Sequence, residues 1–196
     1  HTIGRRQRQM CIRDRVTGAA PISPDLVKWF NALGIPLIEG YGMSETATVM
    51  TMNNPENNKV GTVGTWVPDA NVKISPEGEI QWKSPAVFAG YYKDNKRTSE
   101  AFTKDGYFKT GDKGKIEDGL LSITGRLKDI IITAGGKNIS PAIIENYLKF
   151  SKYISDVIVI GDQRKYLTAL ILIDQENVEK FAQQNRIQYS DFSSLC

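Results

Sequence analysis

Pro36-Leu37-Ile38-Glu39 runs directly into Gly40-Tyr41-Gly42-Met43-Ser44-Glu45-Thr46. The first four residues predict a short buried strand, and the next seven a glycine-punctuated turn rich in polar groups. A strand feeding such a turn in an α/β sheet is where ligands usually sit. Immediately upstream, Ser23-Pro24-Asp25 reads as a helix start, with Ser as N-cap, Pro at the first helical position and an acid in the first turn. Leu26, Phe30 and Leu33 then recur at helical spacing, and Gly34 closes the segment.

Downstream the rhythm shortens. Val72 and Ile74, the turn Pro76-Glu77-Gly78, then Ile80 and Trp82 predict a hairpin with period-two alternation. Asp94 to Phe102 reads as one short capped helix. Asp105-Gly106 and Asp118-Gly119 are turn signals, so this stretch is a small β-rich subdomain. After Arg126 the pattern changes again. Ile130-Ile131-Ile132 reads as a strand, Gly135-Gly136 as a loop, and Ser140-Pro141 as the cap of a helix with Ile143, Ile144, Tyr147 and Leu148 on one face. Strands at 157–160 and 168–173 follow, then a helix over 175–186 carrying Val178, Phe181 and Ala182. That order predicts a separate small α+β domain with its boundary near Leu127-Lys128-Asp129. There are no internal repeats or low-complexity tracts.

At 196 residues, 40% hydrophobic and 24% charged, the chain is neither disordered nor fibrous as a whole. No apolar run approaches a membrane span. The net charge of +3 is concentrated at one end: residues 1–15 hold five arginines and one acid, leaving −1 for the remainder. The body therefore has no global attraction for nucleic acid. Residues 1–15 lack the apolar core of a secretory signal. A basic tail or a mitochondrial-type presequence would be Arg-rich in this way. The run Arg6-Gln7-Arg8-Gln9-Met10-Cys11-Ile12-Arg13-Asp14-Arg15, however, resembles translated sequencing-adapter read-through, and the segment is expected to be a non-native leader. Cys11 and Cys196 form no disulfide framework or metal spacing. His1 is the one histidine, so Ser-His-Asp catalysis, Cys-His catalysis and histidine-ligated zinc are excluded from residues 16–196.

Chemistry must then come from carboxylates, hydroxyls, Lys, Arg and backbone amides. Tyr41 offers a flat π-face, Gly42 lets backbone approach a ligand, Ser44 suits a phosphate oxygen and Glu45 is a hard oxygen ligand for Mg²⁺. An ordinary loop capped by Ser44 accounts for the same composition. In Thr110-Gly111-Asp112 a carboxylate beside a tight turn suits a ribose diol, although in isolation an Asx-turn is the simpler reading. Gly125-Arg126-Leu127-Lys128-Asp129 reads by default as an exposed linker of mixed charge. Gly135-Gly136-Lys137 can cradle a phosphate but lacks P-loop spacing.

Taken in order, five segments resemble the AMP-forming acyl-CoA synthetases of the adenylate-forming superfamily. They are Gly18-Ala19-Ala20-Pro21, Tyr41 to Thr46, Tyr107-Phe108-Lys109-Thr110-Gly111-Asp112, Gly125 to Asp129, and Gly135 to Pro141. The resemblance covers about residues 16–196, and the wording of the last motif, with Asp162 to Leu170, looks most like the long-chain fatty acid–CoA ligases.

The resemblance implies a fold of α/β plus α+β type: 16–127 as the end of the large AMP-binding domain with its β-rich subdomain, and 128–196 as an incomplete, small, mobile C-terminal domain. It implies ATP, a fatty acid and CoA as substrates, with Mg²⁺. A carboxylate attacks the α-phosphate of ATP to give acyl-adenylate and pyrophosphate; the CoA thiol then displaces AMP. Carried over by position, Tyr41 stacks on adenine, and Gly18, Ala19, Ala20 and Pro21 line the adenine and acyl region beside Gly42. Ser44 contacts the α-phosphate, Glu45 binds Mg²⁺, and Asp112 with Arg126 holds the ribose. Lys128 is the hinge. Gly135 and Gly136, with Lys137, face the CoA channel. Such chemistry works by positioning and charge neutralisation and needs no histidine base.

Two family elements do not occur here, a Thr-Ser-Gly-Thr-Thr-Gly-type phosphate loop and the late lysine that assists adenylation. The 196 residues alone are therefore expected to be inactive. A non-CoA acceptor, a luciferase-like oxidation, or a non-catalytic nucleotide-binding relative are the alternatives. A cytoplasmic location is expected, with peripheral membrane contact left open.

Overall fold

The computed structural model describes residues 15–56 and 58–195, so the expected leader, with His1 and Cys11, lies outside the described residues except for Arg15. The chain divides into two compact units, His1–Lys128 and Asp129–Cys196.

The first unit opens with β1 (Arg15–Thr17) and α1 (Pro24–Ala32), which has Ser23 at its N-cap position and Pro24 in its first turn. Its end is a Schellman motif: the Gly34 amide donates to the Asn31 carbonyl and the Ile35 amide to that of Phe30. Gly34 takes φ +74°, and Pro36 prevents continuation. The expected apolar face is corrected in detail. Val27 is the buried residue of α1, whereas Leu33 is 55% exposed because it sits at the C-cap, where the helical stripe has already ended.

β2 (Leu37–Tyr41) pairs in parallel with β1 and antiparallel with β3 (Thr51–Met52), which continues to β4 (Thr65–Trp66). Leu37 and Ile38 are buried, and the strand runs on through Gly40 and Tyr41 rather than ending at Glu39. A second sheet is built in the order β5 (Asn71–Ile74), β6 (Glu79–Lys83), β7 (Phe108–Glu117) and β8 (Leu120–Arg126). Between β6 and β7 lies α2 (Asn95–Ala101), whose N-cap Asp94 accepts from the Arg97 amide. Asp118 and Gly119, at φ +53° and +74°, form the tight turn joining β7 to β8. The two sheets meet where Val63 and Leu121 exchange main-chain contacts through Gly64. Val63, Ile80 and Leu121 are the core of that seam, and Tyr41 packs against them. The end of β2 is thereby fixed against the second sheet.

The second unit comprises the hairpin β9 (Ile131–Ile132) and β10 (Asn138–Ile139), then α3 (Pro141–Leu148), β11 (Ile154–Ile160), β12 (Thr168–Ile173) and α4 (Gln175–Gln184). Ile131, Val157 and Val159 form its core, with Ile144 and Leu148 of α3 against them. Here too the expected helical face is narrower than read. Ile143 and Tyr147 are 63% and 74% exposed, since a two-turn helix on a two-stranded sheet buries only one i, i+4 row. Among the described residues, no helix is long and apolar enough to cross a membrane.

Candidate active site

Tyr41 ends β2, and its carbonyl accepts from the Met50 amide. Residues 42–49 are thus a loop pinched off between two paired strands. Inside it, the buried Thr46 hydroxyl donates to the Met43 carbonyl and accepts from the Met43 amide. The position ahead of the single turn Ser44–Thr46 is therefore Met43, and Ser44 is not the cap that the simpler reading assumed. A Cβ on Gly42 would stand 1.6 Å from the Thr48 carbonyl oxygen, so the loop closes back onto itself only with glycine there. The result presents Ser44 to solvent and half-buries Glu45.

Across the seam, Asp112 and Arg126 are directly opposed on β7 and β8. The Tyr41 hydroxyl donates to Asp112 Oδ2 at 2.6 Å, and Arg126 Nε donates to Oδ1 at 3.1 Å. Asp112 is 5% exposed, while the Arg126 side chain reaches into solvent. This corrects both simpler readings: Asp112 makes long-range bonds rather than an Asx-turn, and Arg126 belongs to a strand rather than a linker. Gly111 at φ +74° donates its amide to Glu79 Oε1, and the Asp112 amide to Thr110 Oγ1, which aims the carboxylate inward. Burial, and then the Asp112 carboxylate, push the Tyr41 phenol well above its ordinary range, so it is a permanent donor.

Gly18 follows β1, and a Cβ there would come within 3.0 Å of the Gly40 carbonyl. That contact lays the exposed residues Gly18, Ala19, Ala20 and Pro21 beside the end of β2. Asp112 therefore bonds both Tyr41 and Arg126, with Gly42, Ser44 and Glu45 in the loop that follows Tyr41 and Gly18 against Gly40. Lys128 lies elsewhere, exposed at the last position of the first unit; its neighbour Leu127 donates to the Gly111 carbonyl at 2.8 Å. Gly135, Gly136 and Lys137 belong to the second unit and are exposed at the β9–β10 turn.

Two further polar residues escaped the sequence reading. Tyr91 donates to Glu45 Oε1 at 3.1 Å over a separation of 46 residues, and in sequence the Tyr91-Tyr92 pair looks like surface loop. Glu39, expected only as the end of a buried strand, has its carboxyl pushed up to about 7 by burial, with the Ile22 amide pulling part-way back. Among the described residues no three acids, histidines or cysteines converge on a metal position.

Residues 4–92 match the family described as AMP-binding enzyme, and residues 128–190 match the AMP-binding enzyme C-terminal domain. The chain belongs to the AMP-binding enzymes. It is 44% identical over 174 residues to the long-chain-fatty-acid–CoA ligase FadD15 of Mycobacterium bovis, covering 88% of this chain and 29% of that one. Human long-chain-fatty-acid–CoA ligase ACSBG1 is 40% identical over 163 residues, 80% of this chain and 22% of the relative. Among solved structures, o-succinylbenzoate CoA synthetase from Bacillus subtilis, in complex with its acyl-adenylate intermediate, superposes with a TM-score of 0.76. It is 25% identical and is covered to 40%, over 92% of this chain. An ATP-bound RpMatB-BxBclM chimera gives 0.70 at 31% identity, with 90% and 39% covered. The chain spans under a third of the length of the curated relatives it matches. Its mixed architecture is that of adenylate-forming enzymes.

Proposed function

We propose that the enzyme carrying this segment is an AMP-forming long-chain fatty acid–CoA ligase, joining ATP, a fatty acid and CoA into acyl-CoA, AMP and pyrophosphate through an acyl-adenylate. The observation that carries the reading is the buried Asp112 carboxylate clamped between the Tyr41 hydroxyl and Arg126 Nε. A carboxylate has about four acceptor positions, so Asp112, with two filled, retains capacity for the two ribose hydroxyls. Arg126, reaching outward, supplies charge beside them. In this reading Tyr41 faces the adenine, the Gly18–Pro21 loop borders the adenine and acyl groups, and Ser44 donates to an α-phosphate oxygen.

Glu45 is suited to Mg²⁺ in the manner that ion prefers. Mg²⁺ keeps several waters and takes one or two carboxylates plus substrate phosphates rather than an all-protein cage. A lone Glu45 carboxylate beside the exposed Ser44, with no acidic cluster among the described residues, matches that requirement. The ion's contribution is neutralisation of phosphate charge; orientation falls to the side chains. The second unit is a mobile cap turning at Lys128, with Gly135, Gly136 and Lys137 on the CoA side.

The test is AMP release from ATP and palmitate by the whole enzyme, with and without CoA. Multiple turnovers only with CoA are expected, and Asp112→Asn should weaken ATP binding by about tenfold, roughly 1.4 kcal/mol. Turnover indifferent to CoA points instead to another acceptor. Nucleotide binding without any AMP release points to a non-catalytic relative.

A further inference from the structure

Glu45 is held at both ends by one neighbouring segment. The Phe88 amide donates to its carbonyl at 2.9 Å, and the Tyr91 hydroxyl donates to its Oε1 at 3.1 Å. Among the described residues, the second carboxylate oxygen, Oε2, has no hydrogen-bond partner. One oxygen is engaged and the other is on offer.

The donor is itself rigidly mounted. The Tyr91 amide donates to Thr98 Oγ1 at 2.8 Å, and that hydroxyl donates to the Asp94 carbonyl at the start of α2. Gly90, at φ +143°, lies so close that a Cβ there would strike the Thr98 methyl at 2.5 Å. The Tyr91 ring meets Phe88 edge-on at 4.9 Å, and the Arg97 guanidinium sits 4.1 Å over it. Phe88 in turn packs on Phe102 and Phe108. Backbone and ring are thus both fixed, so the hydroxyl points one way. A surface tyrosine with no task would not need this; the adjacent Tyr92 is 87% exposed.

We propose that Tyr91 is a positioning residue that locks the Glu45 carboxylate so that its second oxygen serves as a single-point ligand to the divalent cation accompanying the nucleotide. The inference rests on the assignment of Glu45 made above and adds the residue that orients it. A hydrogen bond on one oxygen weakens its share in a bidentate grip, which a small octahedral ion disfavours in any case, and spares the cation the entropy of ordering a free carboxylate.

Two measurements test it. In the metal-free chain, tyrosine labelled with ¹³C at Cζ reports each phenol's hydrogen bonding through its chemical shift, with Tyr91 identified by its loss in Tyr91→Phe. The Tyr91 hydroxyl donates to Glu45, so at neutral pH Glu45→Gln should shift the Tyr91 Cζ resonance while leaving that of Tyr92 in place; an unmoved Tyr91 resonance overturns the contact. In the whole enzyme, Tyr91→Phe keeps the ring and deletes only the hydroxyl. The Mg²⁺ concentration for half-maximal ATP–pyrophosphate exchange should rise about tenfold at an unchanged saturating rate, with Tyr92→Phe as a silent control. The rise should vanish when Tyr91→Phe is made on a Glu45→Gln background, because the hydroxyl acts only through that carboxylate. A rise that persists there, or no rise in Tyr91→Phe while Glu45→Gln has one, overturns the role of Tyr91 and leaves Glu45 standing. No effect of Glu45→Gln itself removes the underlying assignment, and this inference with it.

Discussion

Glu39 stands two residues ahead of Tyr41 on β2, and its titration is separable from anything the nucleotide does. Its main chain is committed to the sheet: it lies opposite Thr17, and its carbonyl accepts from the Asn53 amide. Its side chain is half-buried, and desolvation outweighs the Ile22 amide to bring the carboxyl up to about 7. An acid whose folded value is raised binds a proton in the native state that the unfolded chain has already released. Stability from this group is therefore full below about pH 4.5 and declines as pH climbs to about 7. Solvent screening at a half-exposed site limits the loss to about 1–2 kcal/mol. Glu39→Gln, which carries no titration, should flatten that decline. Urea midpoints at pH 5 and pH 8 should converge in the variant and differ in the parent. Equal pH dependence in both would assign the slope to other groups.

At the scale of elements, the loop between β2 and β3 depends on glycine more strictly than the hairpin turns do. The Gly42 Cβ position is blocked by main-chain atoms, the Thr48 carbonyl oxygen at 1.6 Å and its carbon at 2.5 Å, and backbone cannot swing aside as a side-chain tip can. Gly42→Ala should therefore cost at least about 2 kcal/mol and accelerate amide exchange across 43–48. Unchanged exchange with a stability loss under about 0.5 kcal/mol would show a softer loop. The same comparison shows what sequence reading can reach. The helix-start positions at Ser23-Pro24 and Ser140-Pro141, the Gly34 stop and the Asp118-Gly119 turn were legible because such signals are decided within a few residues, although neither serine makes the side-chain cap bond expected of it. The buried row of each helix was not, because the packing partner selects it: Val27 over Leu33, Ile144 over Ile143. The members of the site were individually legible as motifs. Their contacts were not, since the Tyr41–Asp112 bond spans 71 residues and the Tyr91–Glu45 bond 46.

For the molecule as a whole, the division at Lys128 and Asp129 raises the question of what the connector does. Leu127 is tied down, its amide donating to the Gly111 carbonyl one residue from Asp112, so the last fixed point before the connector is bonded to the strand that carries Asp112. Lys128 and Asp129 beyond it are exposed. If the second unit turns about Lys128, the turn must be taken up in the backbone dihedrals of that residue, and proline there removes φ as a variable while restricting Leu127. Lys128→Pro in the whole enzyme should then leave ATP–pyrophosphate exchange near the parent rate. Thioester formation should fall by at least about tenfold, some 1.4 kcal/mol on the barrier. Gly135→Ala sharpens the comparison. Among the described residues, nothing beyond its chain neighbours lies within 4 Å of its Cβ position, so the fold tolerates the methyl, and a selective loss of thioester formation there would support the proposed place of Gly135 on the CoA side. If Lys128→Pro depresses both half-reactions alike, the residue acts on the Asp112 site through Leu127 and Gly111, and the pivot must be sought elsewhere in the chain.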